Sequence, residues 1–201
     1  MKNSDFKETI ERLRKLDART RGDLLDVADD YLKKTGKAEL LEKIVAKTAD
    51  YGYSLTFKEI HAMRWYPVAM EIALFFSMIE ILGWEEKDIK EFGKSFVKIS
   101  FIERILAKYF IAVEKTYQQA PVIWRRHMDS GELETHEFNK AKKYCVLRLK
   151  GLDLHPLYCI FLAGMFEGMA DFITGSKINR CQESQCVFRG DDYHEFIVSW
   201  E

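Results

Sequence analysis

Proline is scarce in this chain, with three residues in 201. Scarce proline leaves helices uninterrupted, because a proline removes a backbone donor and clashes with the preceding turn. Cysteine is sparse as well, at four residues. That is too few for a disulfide scaffold at this length, so the thiols are expected reduced and the chain cytoplasmic. No charge of one sign prevails: 31 Lys and Arg stand against 32 Asp and Glu, a net charge of −1. Nothing in that balance points to nucleic acid or an anionic membrane surface. The longest apolar run, VAMEIALFFSMIEILGW at 68–84, is interrupted by Glu71 and Glu80, so no membrane span is expected. The opening stretch MKNSDFKETIERLRKLD is charged throughout, and no secretory signal is expected there. No Gly-x-Ser-x-Gly, P-loop or dinucleotide glycine pattern occurs. A Cys186–His194 nucleophile pair would lack an orienting third group. A binding protein is expected rather than an enzyme.

What is present is a globular composition, 47% apolar and 31% charged, in a chain long enough for one well-cored domain. Residues 1–50 read as an arm of charged helices. Phe6, Ile10 and Leu13 recur at helical spacing, as do Leu24, Leu25, Ala28 and Leu32, then Leu40, Leu41, Ile44 and Val45. Gly36 is a plausible stop for the second piece. TFKE at 56–59 has capping-box spacing and predicts a short helix. Pro67 opens a helix that runs to Leu82 before Gly83 and is apolar almost all round, hence buried. Helices are also predicted over EEKDIKEFGKSFVK and SFIERILAKYFIAVEKTY.

Beyond Pro121 the pattern changes. GELETHEFN and KYCVLRLKG read as strands, with Cys145, Leu147 and Leu149 on one face by period two. A helix follows with Pro156 at its first position and Gly175 past its end, then two more strands, SKINRCQES and DDYHEFIVSW. The fold class is therefore α+β: a small antiparallel sheet in strand–strand–helix–strand–strand order, covered by a helical layer and preceded by a helical arm. The expected division is an arm at 1–50 and a ligand-binding domain at 51–201.

Three soft or borderline metal ligands fall on three of these elements. Cys159 lies in the first turn of the covering helix, Cys186 follows the third strand, and His194 faces inward on the fourth. Zinc takes four such ligands, at about 2.0–2.3 Å, so their ligand atoms would lie within about 4 Å of one another. The fourth is sought on the first strand, where Glu134, His136 and Glu137 crowd together, and Glu137 is the choice. Buried cysteine also serves as a small hydrophobe, and the residues alone leave both readings open.

ESQCVFRGDDYHEF at 183–196 resembles the C-terminal signature of the 4-vinyl-reductase domain family, and HPLYCIFLAGMFEGM at 155–169 resembles that family's preceding helix. The resemblance covers roughly residues 121–201. It implies membership of a wider ligand-binding superfamily that includes haem nitric-oxide-binding domains and small subunits of a Golgi trafficking complex. In phenol-responsive members of the family, cysteines and an upstream glutamate hold zinc beside an aromatic-ligand pocket. Carried over by position, Cys159 and Cys186 fall on two of the cysteine ligands. His194 stands where the family has its last cysteine, a departure that keeps a zinc-competent donor. Cys145 and Cys181 match no ligand and are expected to be structural.

Haem is not expected. His61 and His155 are weak axial candidates, His155 reads better as a helix N-terminal residue, and the tyrosine–serine–arginine motif for haem propionates is missing. Trp124, Arg125, Arg126 and His127 read as a solvated turn with an anchoring tryptophan. Gly164 and Gly168 read as a small-residue face for close packing. The functional expectation is a sensor or carrier for a small apolar molecule, held in a pocket of roughly 300–1,000 Å³ between sheet and helices. Phe75, Tyr109, Phe161 and Met165 are its expected lining, with a zinc site shaping one wall. The narrow stripes of the arm favour a homodimer through the N-terminal helices. The alternatives are an accessory protein or reductase-like enzyme of tetrapyrrole metabolism, or a structural adaptor.

Overall fold

The computed structural model describes residues 3–99 and 113–201. The arm begins with helix α1 (Asn3–Arg14), continues through a short strand β1 (Arg19–Arg21), and adds α2 (Asp23–Lys34) and α3 (Leu41–Asp50). Strand β2 (Trp65–Pro67) pairs antiparallel with β1, a two-stranded ribbon that no periodicity in three residues could announce. TFKE forms only a single 3-10 turn at Phe57–Glu59.

Helix α4 (Val68–Leu82) starts immediately after Pro67 and stops at Gly83, which takes the left-handed conformation at φ 64. Helix α5 (Glu86–Ile99) carries Glu86 and Asp88 in its first turn, where they face the positive end of the helix dipole. Of the helix expected over 100–117, residues 100–112, Tyr109 among them, lie outside the described residues. Then come α6 (Val113–Gln118) and α7 (Ala120–His127).

The C-terminal half is β3 (Glu132–Asn139), β4 (Tyr144–Lys150), α8 (Pro156–Ile173), β5 (Asn179–Gln185) and β6 (His194–Trp200). These four strands make one antiparallel sheet in the order β3-β4-β6-β5. Its inner face, with Cys145, Leu147, Leu149, Phe196 and Val198 all buried, carries α8. Helix α8 is long and apolar enough to cross a membrane. Here its apolar length lies between the sheet and α5. The approach to α5 is close: a Cβ on Gly164 would collide with the Lys90 carbonyl, and one on Gly93 with the Phe161 carbonyl. The small-residue face is thus a helix–helix contact.

The arm's stripes are covered within the chain. Phe6, Ile10, Leu13, Leu25 and Leu32 belong to the same buried cluster as Phe75 and Phe161. Phe6 stacks on Phe76 with ring centroids 4.0 Å apart. Arg12 donates to the carbonyls of Asp153 and Leu154 at 2.7 and 2.6 Å. A second copy is therefore not needed to keep these residues from water.

Candidate functional site

At the N-terminal end of α8, four potential ligand atoms gather: those of Cys159, Glu183, Cys186 and His194 all lie within 4.8 Å of one another. Each comes from a different local device. Pro156 at the start of α8 and His155 before it fix the first turn. The His155 ring Nδ1 accepts from the Leu157 N–H at 3.2 Å, capping the helix, as its position suggested. That turn presents Cys159, whose Sγ is 3.6 Å from His194 Nδ1. His194 opens β6 and is 1% exposed. Its Nδ1 also faces Glu183 Oε1 at 3.0 Å. Cys186 follows β5, and its backbone N–H donates to Asp191 Oδ2 at 2.7 Å. A single 3-10 turn and Gly190 at φ 96 return the chain to β6.

The electrostatics of the four are opposed. Burial pushes the Cys159 thiol up, and the nearby Glu183 and Cys186 push it further. Burial also raises Cys186. For Glu183, burial alone would raise the carboxyl, but hydrogen bonds from His194 and Cys186 outweigh it and hold the group below the usual carboxylate range. A divalent ion would reverse the cost of making the thiolates, since thiolate is the ligating form.

Glu137 stands apart from this group. It is exposed and accepts a hydrogen bond from the Tyr144 hydroxyl. The reason is a β-bulge between Thr135 and Glu137. The extra residue reverses the in–out alternation, so Glu137 loses the inward phase of Leu133 and Thr135. Glu183 on β5 takes the place expected of Glu137 on the first strand, and period two from the buried Cys181 puts it on the inner face. Cys145 and Cys181 do not join the group. Both are buried, and burial pushes the Cys145 thiol up to about 12.

A cavity of about 80 Å³ lies between α8, the inner sheet face and the helices opposite. The wider depression around it, solvent included, encloses about 810 Å³. The enclosed space is smaller than the roughly 300–1,000 Å³ expected of a ligand pocket. Phe161 and Met165 line it, together with Met169, Trp124 and Phe96. Phe75 does not. It is fully buried in the core, edge-on to Tyr158 and Phe161.

The sequence reading missed the polar end of this cavity. Asp23, Glu71, His127 and Tyr158 meet there, and Asp23 and Glu71 are each 1% exposed. The Tyr158 hydroxyl donates to Glu71 Oε1 at 2.6 Å. Glu71 Oε2 has no hydrogen-bond partner among the described residues. Burial raises the Glu71 carboxyl and Asp23 adds to the rise, against the opposing effects of Thr20, Tyr158 and His127. His127 Nδ1 lies 3.9 Å from Asp23 Oδ2. The segment around Trp124 is thus a helix. Trp124 is buried, Arg125 and Arg126 are exposed, and His127 is turned to the cavity. An acid inside an apolar run, as Glu71 is in VAMEIALFF, was the available signal.

The sequence matches no protein-family model and no curated protein. Among solved structures, an H-NOX protein from S. oneidensis in the Fe(II)NO ligation state superposes with a TM-score of 0.63 at 12% identity, covering 90% of this chain and 99% of that one. A structure from work on haem distortion in the H-NOX family gives 0.64 at 11% identity, over 90% and 95%. A trafficking protein particle complex subunit 3 from Naegleria fowleri, covalently bound to palmitic acid, gives 0.48 over 64% of this chain, too slight a likeness to argue from. Such identities show the fold alone. The fold is that of H-NOX domains. The 4-vinyl-reductase family itself is not among these findings.

The expectation against haem is corrected by these neighbours. It rested on weak histidines and a missing motif, yet the fold is one that holds haem in those proteins. The cavity of this chain also contains an imidazole, His127, that was not weighed as an axial ligand.

Proposed function

We propose that this chain is a small-molecule-binding sensor or carrier module whose ligand enters the cavity beside α8. The observation that carries this is the buried Glu71, set in an aromatic and methionine-lined space with one carboxylate oxygen unused among the described residues. Buried polar atoms are nearly always partnered, and a ligand would supply the missing partner. All four cysteines are buried free thiols, which supports a reducing compartment such as the cytoplasm. Native mass spectrometry of the purified chain, before and after denaturation, is the test. A co-purifying small molecule is the expected result. A ligand-free chain that no small molecule stabilises would sink the reading.

Cys159, Glu183, Cys186 and His194 are proposed to hold a structural metal ion, with zinc suited to this S₂NO donor set. The ion would tie the first turn of α8 to the hairpin of β5 and β6. Cys159 is the chain neighbour of Tyr158, so the same turn that reaches the metal also sets the hydroxyl on Glu71. Occupancy of the cavity would move that turn, and a two-state shift of α8 would be the signal. Phe6 and Phe76 pack edge-on to His155, which extends the same end of α8 to the arm.

Haem is a second reading, favoured by the fold of the neighbours. His127 would hold it, with Met165, Met169, Phe96 and Trp124 beside it, and a group of porphyrin size would need the wider depression of about 810 Å³ rather than the enclosed 80 Å³. A bound haem would supply ligation of diatomic gases, as iron does in the Fe(II)NO structure of the neighbour. The visible absorption spectrum of the chain purified with haem present decides this: a Soret band lost in His127→Ala supports it, and an absent band overturns it.

A further inference from the structure

We propose that the cavity selects a cationic amine carried on a single-ring apolar body, with the amine seated on Glu71. The inference rests on the ligand-binding reading above and names the class of ligand.

The polar end of the cavity holds two carboxyl groups, Asp23 and Glu71, against one imidazole, His127. His127 faces Asp23 at 3.9 Å. Arg21 also lines the space, but its guanidinium is committed elsewhere. Its Nε donates to the Arg126 carbonyl at 3.1 Å, its Nη1 donates to the Met63 carbonyl, and its plane stacks on Trp65 at 3.8 Å. Glu71 is therefore left with two hydroxyl partners, Tyr158 at Oε1 and Thr20, an imidazole it shares with Asp23, and an Oε2 that has no hydrogen bond among the described residues.

Burial favours the neutral form of Glu71 and raises its carboxyl. An arriving amine changes that. It arrives as the ammonium, a proton held by Glu71 leaves to water, and an ammonium N–H then donates to Glu71 Oε2 as a charge-assisted hydrogen bond, the strong kind in a dry site. The walls suit the same head. Phe96, Trp124, Phe161 and Tyr158 line the cavity, and aromatic faces attract a desolvated cation. The rest of the lining, with Met165, Met169 and Leu162, offers only apolar surface. The enclosed volume of about 80 Å³ takes the amine head, and the ring would lie in the wider depression of about 810 Å³ around it. For scale, an apolar cavity of about 150 Å³ in another protein admits benzene, so a ring needs that open part as well.

The test is isothermal titration of the full chain with benzylamine, benzyl alcohol and toluene, which share one ring and differ in the head. The amine is expected to bind at least about tenfold tighter than either of the others, the scale of one buried charge-assisted bond. In Glu71→Gln that preference should collapse to within about twofold, with toluene unchanged. Equal or tighter binding of the alcohol would overturn the inference, because Glu71 would then be acting as a protonated donor to an oxygen head. Toluene binding as well as the amine, or an amine affinity untouched by Glu71→Gln, would overturn it equally. Should the variant not fold, the three-probe series on the unaltered chain still decides. Failure of all three probes to bind the unaltered chain would remove the cavity reading itself, and the inference with it.

Discussion

Tyr158 and Cys159 are adjacent in the chain and serve two different sites: the Tyr158 hydroxyl donates to Glu71 Oε1 at 2.6 Å, and the Cys159 sulfur lies 3.6 Å from His194 Nδ1. One helical turn therefore belongs both to the cavity and to the proposed metal centre. Removing metal with a chelator should weaken binding of a cavity ligand severalfold, because the turn that sets Tyr158 is released. Titrations with and without chelator check this. Identical affinities in the two would show that the sites are independent.

The metal centre itself predicts stoichiometry. Metal analysis of the purified chain should give one zinc per chain, lost in Cys159→Ser and in Cys186→Ser. Glu183→Gln should lower the affinity by at least the roughly 10–100-fold that loss of a partner behind a metal ligand costs. Glu137→Gln should leave it unchanged, since Glu137 is exposed and bonded to Tyr144. A metal content that ignores the Cys159, Cys186 and Glu183 substitutions would refute the assignment.

Glu71 should make stability fall as pH rises. Its folded pKa is raised, chiefly by burial, so the folded chain holds the proton more tightly than the unfolded one. Stability from this group is full below the usual carboxylate range and is lost as pH climbs towards the folded value. Glu71→Gln removes that slope. The variant should melt higher than the unaltered chain near neutral pH, and the two curves should converge in acid. Thermal melts across pH test it, and a variant that is less stable at neutral pH would contradict the account.

Phe6→Ala distinguishes an arm that covers its own body from an arm that pairs with a second chain. Phe6 is 5% exposed and stacked on Phe76. Its loss should cost about 3 kcal/mol and lower the melting temperature by roughly 6–12 °C for a chain of this size. Light scattering should show no change in mass. A change in oligomeric state without a loss of stability would restore the arm as an interface.

Gly164→Ala tests the contact between α8 and α5. The added methyl would meet the Lys90 carbonyl, a backbone atom that cannot swing aside. Overpacking of this kind costs about 1–3 kcal/mol, whereas alanine would stabilise a free helix. Denaturant melts of the variant give the sign, and a gain in stability would show that the helices are further apart.

The sequence by itself determined the elements whose patterns are local. Alternating Cys145, Leu147 and Leu149 determined an inward strand face, and Pro156 with Gly175 bounded the covering helix. Pro67 and Gly83 bounded α4. These are readable because side-chain period and backbone restriction act over a few residues. The conformation of the arm was legible in the same way, but not what its stripes touch, since a narrow apolar stripe is satisfied equally by its own body or by another chain. The site depended on two bulges. One, between Thr135 and Glu137, turned Glu137 outward. The other, between Glu183 and Gln185, reversed the phase of β5 so that Glu183 and Cys186, which period two would put on opposite faces, face the same ion-sized space. A bulge is set by how a strand pairs with its neighbour, not by the strand's own residues. The meeting of Glu71 with Asp23, His127 and Tyr158 likewise joins residues up to 135 positions apart, and only the packing of α2, α4, α7 and α8 around one cavity brought them together.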